Sequence, residues 1–250
     1  MQQSKICKGV NTLGSLDFRL NFYNRSSGDQ ISPWHDIPLK VPGRANNVYH
    51  YVNEIPKKSQ LKMEINKESS HNPIIQDSKN GKPRLLTFGG EGIPFNYGAM
   101  PQTWEDPDDH FPEIQTKEGS SPLKGDNDPL DVVLFDDNSY MIGDIIPIRV
   151  VGCVALIDEG ELDWKIIAVN DDNWKHHDIK DIAEISDFMQ AVVFWFSRYK
   201  TADGKPLNEF AEIDGKIIFD ASIAHKVIER THERYRQLLK NGHKDLWIKK

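Results

Sequence analysis

Between Leu16 and Val169 the chain presents short apolar segments cut by Gly, Pro, Asn and Asp, and no apolar period long enough for a helix. Leu16, Phe18, Leu20 and Phe22 alternate with Asp17, Arg19 and Asn21, the period of two that sends every second side chain to one face of a strand. Further strand-like segments follow at 47–55, 61–65, 84–88, 132–135, 145–157 and 164–169. A parallel sheet needs crossover helices, and none is legible between these segments, so the pattern predicts a largely antiparallel barrel or sandwich. Helical spacing starts only after about residue 178, where Ile182, Ile185, Phe188, Met189, Val192, Val193 and Phe196 predict a helix to about Lys200. Ala224, Val227, Ile228, Tyr235, Leu238 and Leu239 predict a second over 220–240, stopped by Asn241-Gly242. Both helices are expected on one side of the barrel, in an α+β, mainly β fold. One domain over 1–250 is expected, with loose termini at 1–11 and 244–250.

Composition narrows what such a fold can serve. With 250 residues, 38% hydrophobic and 28% charged, the chain can bury a substantial core and reads as a soluble protein. Its longest apolar runs, such as 150–157, fall far short of the roughly 20 residues that cross a bilayer, so no membrane partner is expected. The first residues lack a secretory or transit pattern, which makes a cytoplasmic location the expectation. Cys7 and Cys153 are too few for a disulfide framework or a cysteine zinc site and read as free thiols. A net charge of −7 argues against nucleic acid as a partner.

That charge is local. Residues 105–137 hold eleven carboxylates against Lys117 and Lys124, a charge of −9, which leaves +2 for the rest of the chain. The stretch 101–124 is rich in Pro, Asp, Ser and Gly without periodicity, and reads as a long surface loop of the kind that often carries function. Just beyond it, Asp126-Asn127-Asp128-Pro129-Leu130-Asp131 puts three carboxylates in six residues. Like charges this close repel unless a cation sits between them or a proton is shared, and clustered oxygen donors suit Mg²⁺, Mn²⁺ or Ca²⁺ better than zinc. A solvated acidic loop is the plainer alternative. An EF-hand is excluded because its sixth position requires Gly and here is Asp131. An aspartyl-phosphate phosphatase would carry Thr where this chain has Leu130.

Other charged groups are ambiguous alone. Asp158, Glu159, Glu161 and Asp163 surround a turn before Lys165, and Lys165 shares a strand face with Asp163. Lys62 and Glu64 repeat that cation–anion spacing, with Glu54 on the preceding strand. His225 and His232 lie seven apart on the second helix, without the spacing of a zinc motif, and read as packing or surface residues.

The segment DNDPLDV resembles the signature of the family I soluble inorganic pyrophosphatases. It is joined, in the order found in animal and fungal members, by HDIPL at 35–39, EIP at 54–56, HNPIIQD at 71–77, NYGAMPQTWEDP at 96–107, DEGELDWKIIA at 158–168 and RYKTADGKP at 198–206. The resemblance spans roughly residues 12–240 and implies a closed, twisted, OB-like five-stranded barrel with flanking strands and two main C-terminal helices. It implies Mg²⁺-dependent hydrolysis of pyrophosphate to two phosphates by direct attack of a metal-bridged hydroxide, with three to four Mg²⁺ per site and Mn²⁺, Co²⁺ or Zn²⁺ as substitutes. By the same resemblance Asp126, Asp131 and Asp163 hold one activating metal, and Asp131 bridges to a second. Asp158 and Asp163 hold a metal that arrives with substrate, and Glu54 and Glu64 hold metal-bound waters. Asp128 is the general base, and Lys62, Arg84, Tyr97, Lys165, Tyr199 and Lys200 hold the phosphates.

The chain departs from the pattern at Lys57-Lys58, where near relatives carry Arg-Trp, so a homodimer is allowed by the resemblance without its geometry being carried over. Gly92-Ile93-Pro94-Phe95 replaces a segment with Gly-Tyr, and 111–124 is longer than usual. Two other readings stay open at this level. One is a non-catalytic scaffold, and the other is a metal phosphohydrolase acting on tripolyphosphate or nucleotides.

Overall fold

A computed structural model describes residues 5–112, 114 and 122–249. The strands of its first half are β1 (Lys5–Val10), β2 (Arg19–Asn24), β3 (Gln30–Ile31), β4 (Val48–Ile55), β5 (Met63–Ile65), β6 (Ile74–Gln76), β7 (Ser78–Lys79), β8 (Lys82–Pro83) and β9 (Asn96–Ala99). Then come β10 (Asp131–Phe135), β11 (Ile145–Asp158), β12 (Glu161–Asn170), helix α1 (Ser186–Arg198), β13 (Glu209–Phe210), β14 (Ile218–Asp220) and helix α2 (Ala221–Asn241).

Five strands close on themselves. β12 pairs with β10, β10 with β9, β9 with β4, β4 with β11, and β11 returns to β12. Closure leaves these five no unpaired edge. Every pair is antiparallel except β10 with β12. No helix is needed to connect that parallel pair, because β11 itself makes the crossover: its first part lies on β4 and its second on β12. The strand bends at a bulge between Val150 and Gly152, which also tightens the local twist. A Cβ on Gly152 would come within 2.4 Å of the Phe219 carbonyl oxygen, so only glycine lets β14 approach there.

A smaller sheet, β1-β2-β6-β5 with β3 on β2, leads into the ring. Alternate residues of the ring strands feed two apolar clusters. Val133 and Ile167 join Phe95 and the buried face of α1, Met189, Val192, Trp195 and Phe196. Val132 and Ile166 join Tyr51 and Ala224, Val227 and Ile228 of α2. α1 packs on the first cluster, while α2 is shared: its first half joins the second cluster and its Tyr235 and Leu238 join the first. A 3₁₀ turn, Ile182–Ile185, opens α1, where its N-cap Asp181 and Glu184 form a capping box. The Asp220 carboxylate caps α2 by accepting from the Ser222 and Ile223 N–H groups, and Gly242 ends it at φ 69°.

Three expectations are corrected. Residues 5–10, expected as a loose terminus, pair with β2 along their whole length. The tail is also tied down: the Trp247 N–H donates to the Lys67 carbonyl, and Leu246 is buried. The segment 84–88 forms only an isolated bridge, Leu61 with Leu85, made by the Leu86 N–H on the Gln60 carbonyl and the Lys62 N–H on the Arg84 carbonyl, which also accepts the Gln76 amide. The expected surface loop 101–124 begins buried, at Thr103, Trp104 and Glu105, and residues 113 and 115–121 lie outside the described residues.

Candidate active site

Register assembles the site. In the parallel pair Asp131 sits beside Lys165, and across the antiparallel pair Asp131 faces Ala99, two residues from Tyr97. With side chains alternating, Asp131, Tyr97, Asp163 and Lys165 leave the ring on the face that continues inward as Val133, Ala99 and Ile167. The site is the polar end of an apolar face. The Lys165 ammonium donates to Asp131 Oδ2 at 2.5 Å and to Asp163, and the Tyr97 hydroxyl donates to the same Asp131 oxygen. Lys165 is buried, which pulls its pKa down, but the charges of Asp131 and Asp163 outweigh burial and hold it well above the ordinary value.

Backbone irregularities aim two further carboxylates. The β4–β9 ladder slips between Asn53 and Ile55, and this bulge lies at Glu54. Glu54 is buried and accepts the Ile65 N–H at 2.7 Å; burial and the nearby Asp131 charge raise its carboxyl well above the usual range. A two-residue turn at Glu159 and Gly160, both at positive φ, joins β11 to β12 and brings Asp158 close enough for its charge to act on Asp163.

The densest acidic group contains a residue that sequence reasoning passed over. Glu105, Asp126 and Asp163 each present a carboxylate oxygen, all within 4.8 Å of one another. Glu105 Oε1 accepts the Trp164 N–H at 3.0 Å, while Oε2 is buried without a hydrogen-bond partner among the described residues. The two segments touch because residue 125 is glycine: a Cβ there would lie 2.4 Å from the Glu105 carbonyl. Burial first, and then mutual repulsion, push the Glu105 and Asp126 carboxyls well above the usual range. Asp163 is raised to about 7 by burial and Asp131, with Lys165 opposing. Glu105 was visible only as one of eleven acids in its region, and nothing in its own spacing set it apart.

Cations line the same cleft as Asp126 and Asp163. Lys62 donates to Glu64 at 2.7 Å and pairs with Asp77 at 3.0 Å, and Arg84 donates to Asp77 at 3.1 Å. Asp77, also passed over, thus aligns two cations; burial opposes its ionisation, but Lys62 and Arg84 hold its carboxyl below the usual range. Tyr199, at the end of α1, stacks on Trp195 with ring centroids 4.8 Å apart, and Lys200 pairs with Asp158. Lys62, Arg84, Tyr97, Lys165 and Tyr199 line one cleft of about 200 Å³ together with Asp126, Asp128, Asp131, Asp158 and Asp163. Glu54, Glu64 and Lys200 stand behind that lining, each next to a residue in it. Asp131 lies outside the tight triad but acts electrostatically on Asp126, Asp163 and Glu54.

The pattern that describes inorganic pyrophosphatase matches residues 51–236. The soluble inorganic pyrophosphatase 6, chloroplastic, of Arabidopsis thaliana is 41% identical over 232 residues, 91% of this chain and 72% of that protein. The inorganic pyrophosphatase of Homo sapiens is 40% identical over 232 residues, 90% of this chain and 75% of the relative. Among solved structures, the Schistosoma japonicum inorganic pyrophosphatase aligns at a TM-score of 0.86 and 35% identity, over 96% of this chain and 84% of that one. The truncated Trypanosoma cruzi vacuolar soluble pyrophosphatase, solved in complex with PPi, aligns at 0.84 and 34% identity, over 96% and 92%. Sequence and fold agree across nearly the whole chain, and the protein belongs to the inorganic pyrophosphatase family.

Proposed function

We propose that this cleft cleaves pyrophosphate by direct attack of water, with Asp128 as general base and Mg²⁺ held by the acidic side of the cleft. Membership in the family makes the chain an inorganic diphosphatase, an enzyme that hydrolyses pyrophosphate to two phosphates. One observation carries the site reading: Asp126, Asp128, Asp131, Asp158 and Asp163 line a single cleft together with Lys62, Arg84, Tyr199 and Lys165.

The donors fit a divalent cation. They are hard oxygens, three within 4.8 Å of one another, and their raised pKa values reflect burial and crowding that a divalent charge relieves. Asp126, Asp131, Asp158, Asp163 and Glu105 would hold it, with Glu54 and Glu64 behind them. When bound, Mg²⁺ supplies positive charge that acidifies water and neutralises the phosphates. Three to four ions per site, and substitution by Mn²⁺, Co²⁺ or Zn²⁺, belong to the same reading.

The chain's own groups do the rest. Asp128 lines the cleft beside the cluster, where its carboxylate orients water and takes its proton. Lys62 and Arg84, aligned by Asp77, bind the phosphates together with Tyr97, Lys165, Tyr199 and Lys200. Asp128→Asn should keep the fold and lower turnover by about 10²- to 10⁴-fold, the scale of lost general base catalysis; undiminished turnover removes Asp128 from this role. Phosphate release from pyrophosphate, tripolyphosphate and ATP, measured with Mg²⁺ and with the other metals, tests the whole reading. No Mg²⁺-dependent release from pyrophosphate overturns it, and a trapped phosphorylated residue overturns direct attack.

No helix among the described residues is long and apolar enough to cross a membrane. A cytoplasmic location and a homodimer complete the proposal, with fractionation testing the first and sedimentation with and without Mg²⁺ the second.

A further inference from the structure

The backbone around Asp128 is fixed by several bonds. The Asn127 N–H donates to the Glu105 carbonyl at 2.8 Å, the Glu105 N–H donates to the Asp128 carbonyl at 2.8 Å, and the Trp104 indole N–H donates to Asn127 Oδ1 at 2.9 Å. These contacts hold the peptide chain and leave the Asp128 carboxylate to turn about its own side-chain bonds. That side chain is about half exposed, and the terminal torsion of an aspartate is broad. One group meets it. The Lys67 ammonium lies 2.5 Å from Asp128 Oδ1 and donates to the Asn127 carbonyl oxygen at 2.8 Å.

We infer that Lys67 is a positioning residue for Asp128: its ammonium grips Oδ1 and the neighbouring carbonyl, and so presents Oδ2 to the attacking water. The inference rests on Asp128 being the general base. Lys67 does not line the cleft, so its effect has to pass through Asp128 and not through the phosphates. A lysine on a loose loop would make a poor clamp, because fixing its long side chain costs rotamer freedom. Here the root of the side chain is held. The Lys67 carbonyl accepts the Trp247 N–H at 2.8 Å and the Asn72 amide at 3.2 Å. The tail itself is fastened by Lys249 to Asp36, and His35 Nε2 lies 3.1 Å from the Trp247 carbonyl oxygen. The grip on the base is thus anchored to the C-terminal segment. An ammonium that spans a side-chain oxygen and a main-chain oxygen also fixes a distance between them, which a single ion pair would not.

The test is a double-mutant cycle on the full chain. Lys67→Met keeps length and removes the charge, Lys67→Arg restores a cation, and both are measured with Asp128 and with Asp128→Asn. Lys67→Met should lower kcat about tenfold, the scale of a misplaced group, and leave KM for magnesium pyrophosphate within about twofold. Lys67→Arg should recover most of that loss. In the Asp128→Asn background Lys67→Met should add less than about a twofold further change, because the group being positioned is gone. Calorimetric Mg²⁺ affinity should be unchanged or tighter, since a cation beside the acidic cluster has been removed. Lys67→Gln serves if the methionine variant does not fold. An undiminished kcat in Lys67→Met, an equal loss in both backgrounds, or a loss matched by weaker Mg²⁺ binding overturns the inference. Undiminished turnover in Asp128→Asn alone overturns the reading of Asp128, and that failure is read separately from the lysine variants.

Discussion

Asp109 stands four residues from Glu105, and both it and the triad of Glu105, Asp126 and Asp163 are largely removed from water, yet the fold treats them in opposite ways. Asp109 receives Arg230 at 2.6 and 2.7 Å and Arg234 at 2.7 Å, both from α2. Burial opposes its ionisation, but the two guanidinium groups hold its carboxyl below the usual range. The triad has no arginine hydrogen-bonded to it among the described residues, and only Lys165 shares its charge. An acid that serves the fold carries its counter-ions in the same chain. An acidic group left in mutual repulsion is arranged for a cation from outside.

Removing one charge from the triad tests that contrast most severely. Asp126→Asn should lower turnover by about 10²-fold or more, as expected for losing an electrostatic anchor of the reacting groups. The same change should raise the melting temperature in EDTA, because one repelling charge has gone; a lower melting temperature would count against the poised triad. Next in size is pH. The folded pKa of Asp163, about 7, lies above the ordinary value of 3.8, so its contribution to stability is present below 3.8 and lost as pH rises through about 7. Metal-free protein should therefore lose stability between about pH 4 and 7 from this group, Mg²⁺ should reverse the loss, and Mg²⁺ binding near pH 7 should release protons, seen as a buffer-dependent binding enthalpy. Asp109 has the opposite sign: its contribution is present above 3.8 and lost as pH falls through its lowered value.

Asp109→Asn should cost about 1–3 kcal/mol, the usual loss when charged hydrogen-bond partners are left unmatched, with a far smaller effect on turnover than Asp126→Asn. A loss of turnover on the Asp126→Asn scale would erase the distinction between the two acids. The smallest effect is expected at Lys79, whose 2.6 Å pair with Asp203 links the β7–β8 hairpin to the 3₁₀ turn Tyr199–Asp203 after α1, between half-exposed side chains. Lys79→Ala should change stability by about 0.5 kcal/mol or less, since exposed ion pairs gain little over water.

The sequence pattern carried the long strands and both helices because each has a sustained period, as in the alternation at 16–22 and the three- and four-residue spacing from Ile182. It did not carry β9, a ring strand of four residues, Asn96–Ala99, interrupted by Gly98. That glycine is needed because a Cβ would sit 2.0 Å from the Val52 carbonyl oxygen, a constraint set by a strand far away in the chain. The parallel pairing of β10 with β12 was hidden for the same reason: pairing direction follows from β11 changing partners at a bulge. At the site, the motif residues were legible as a set. Which of them meet was not: Glu105 joins Asp126 and Asp163 through the close approach at Gly125, and Asp131 is taken by Tyr97 and Lys165.

Closure of the ring through β10 and β12 also has a consequence in time. Asp131 and Lys165 are 34 positions apart and become neighbours only when that pair zips, a long-range contact that must meet its loop-closure entropy before it returns any stabilisation. Until then the carboxylates of the two strands belong to separate hairpins, and a nascent or partly refolded chain has no assembled centre. Recovery of turnover after dilution from denaturant should then lag behind the recovery of helix signal. The enzyme's own reaction would act as the clock for the last step of its folding.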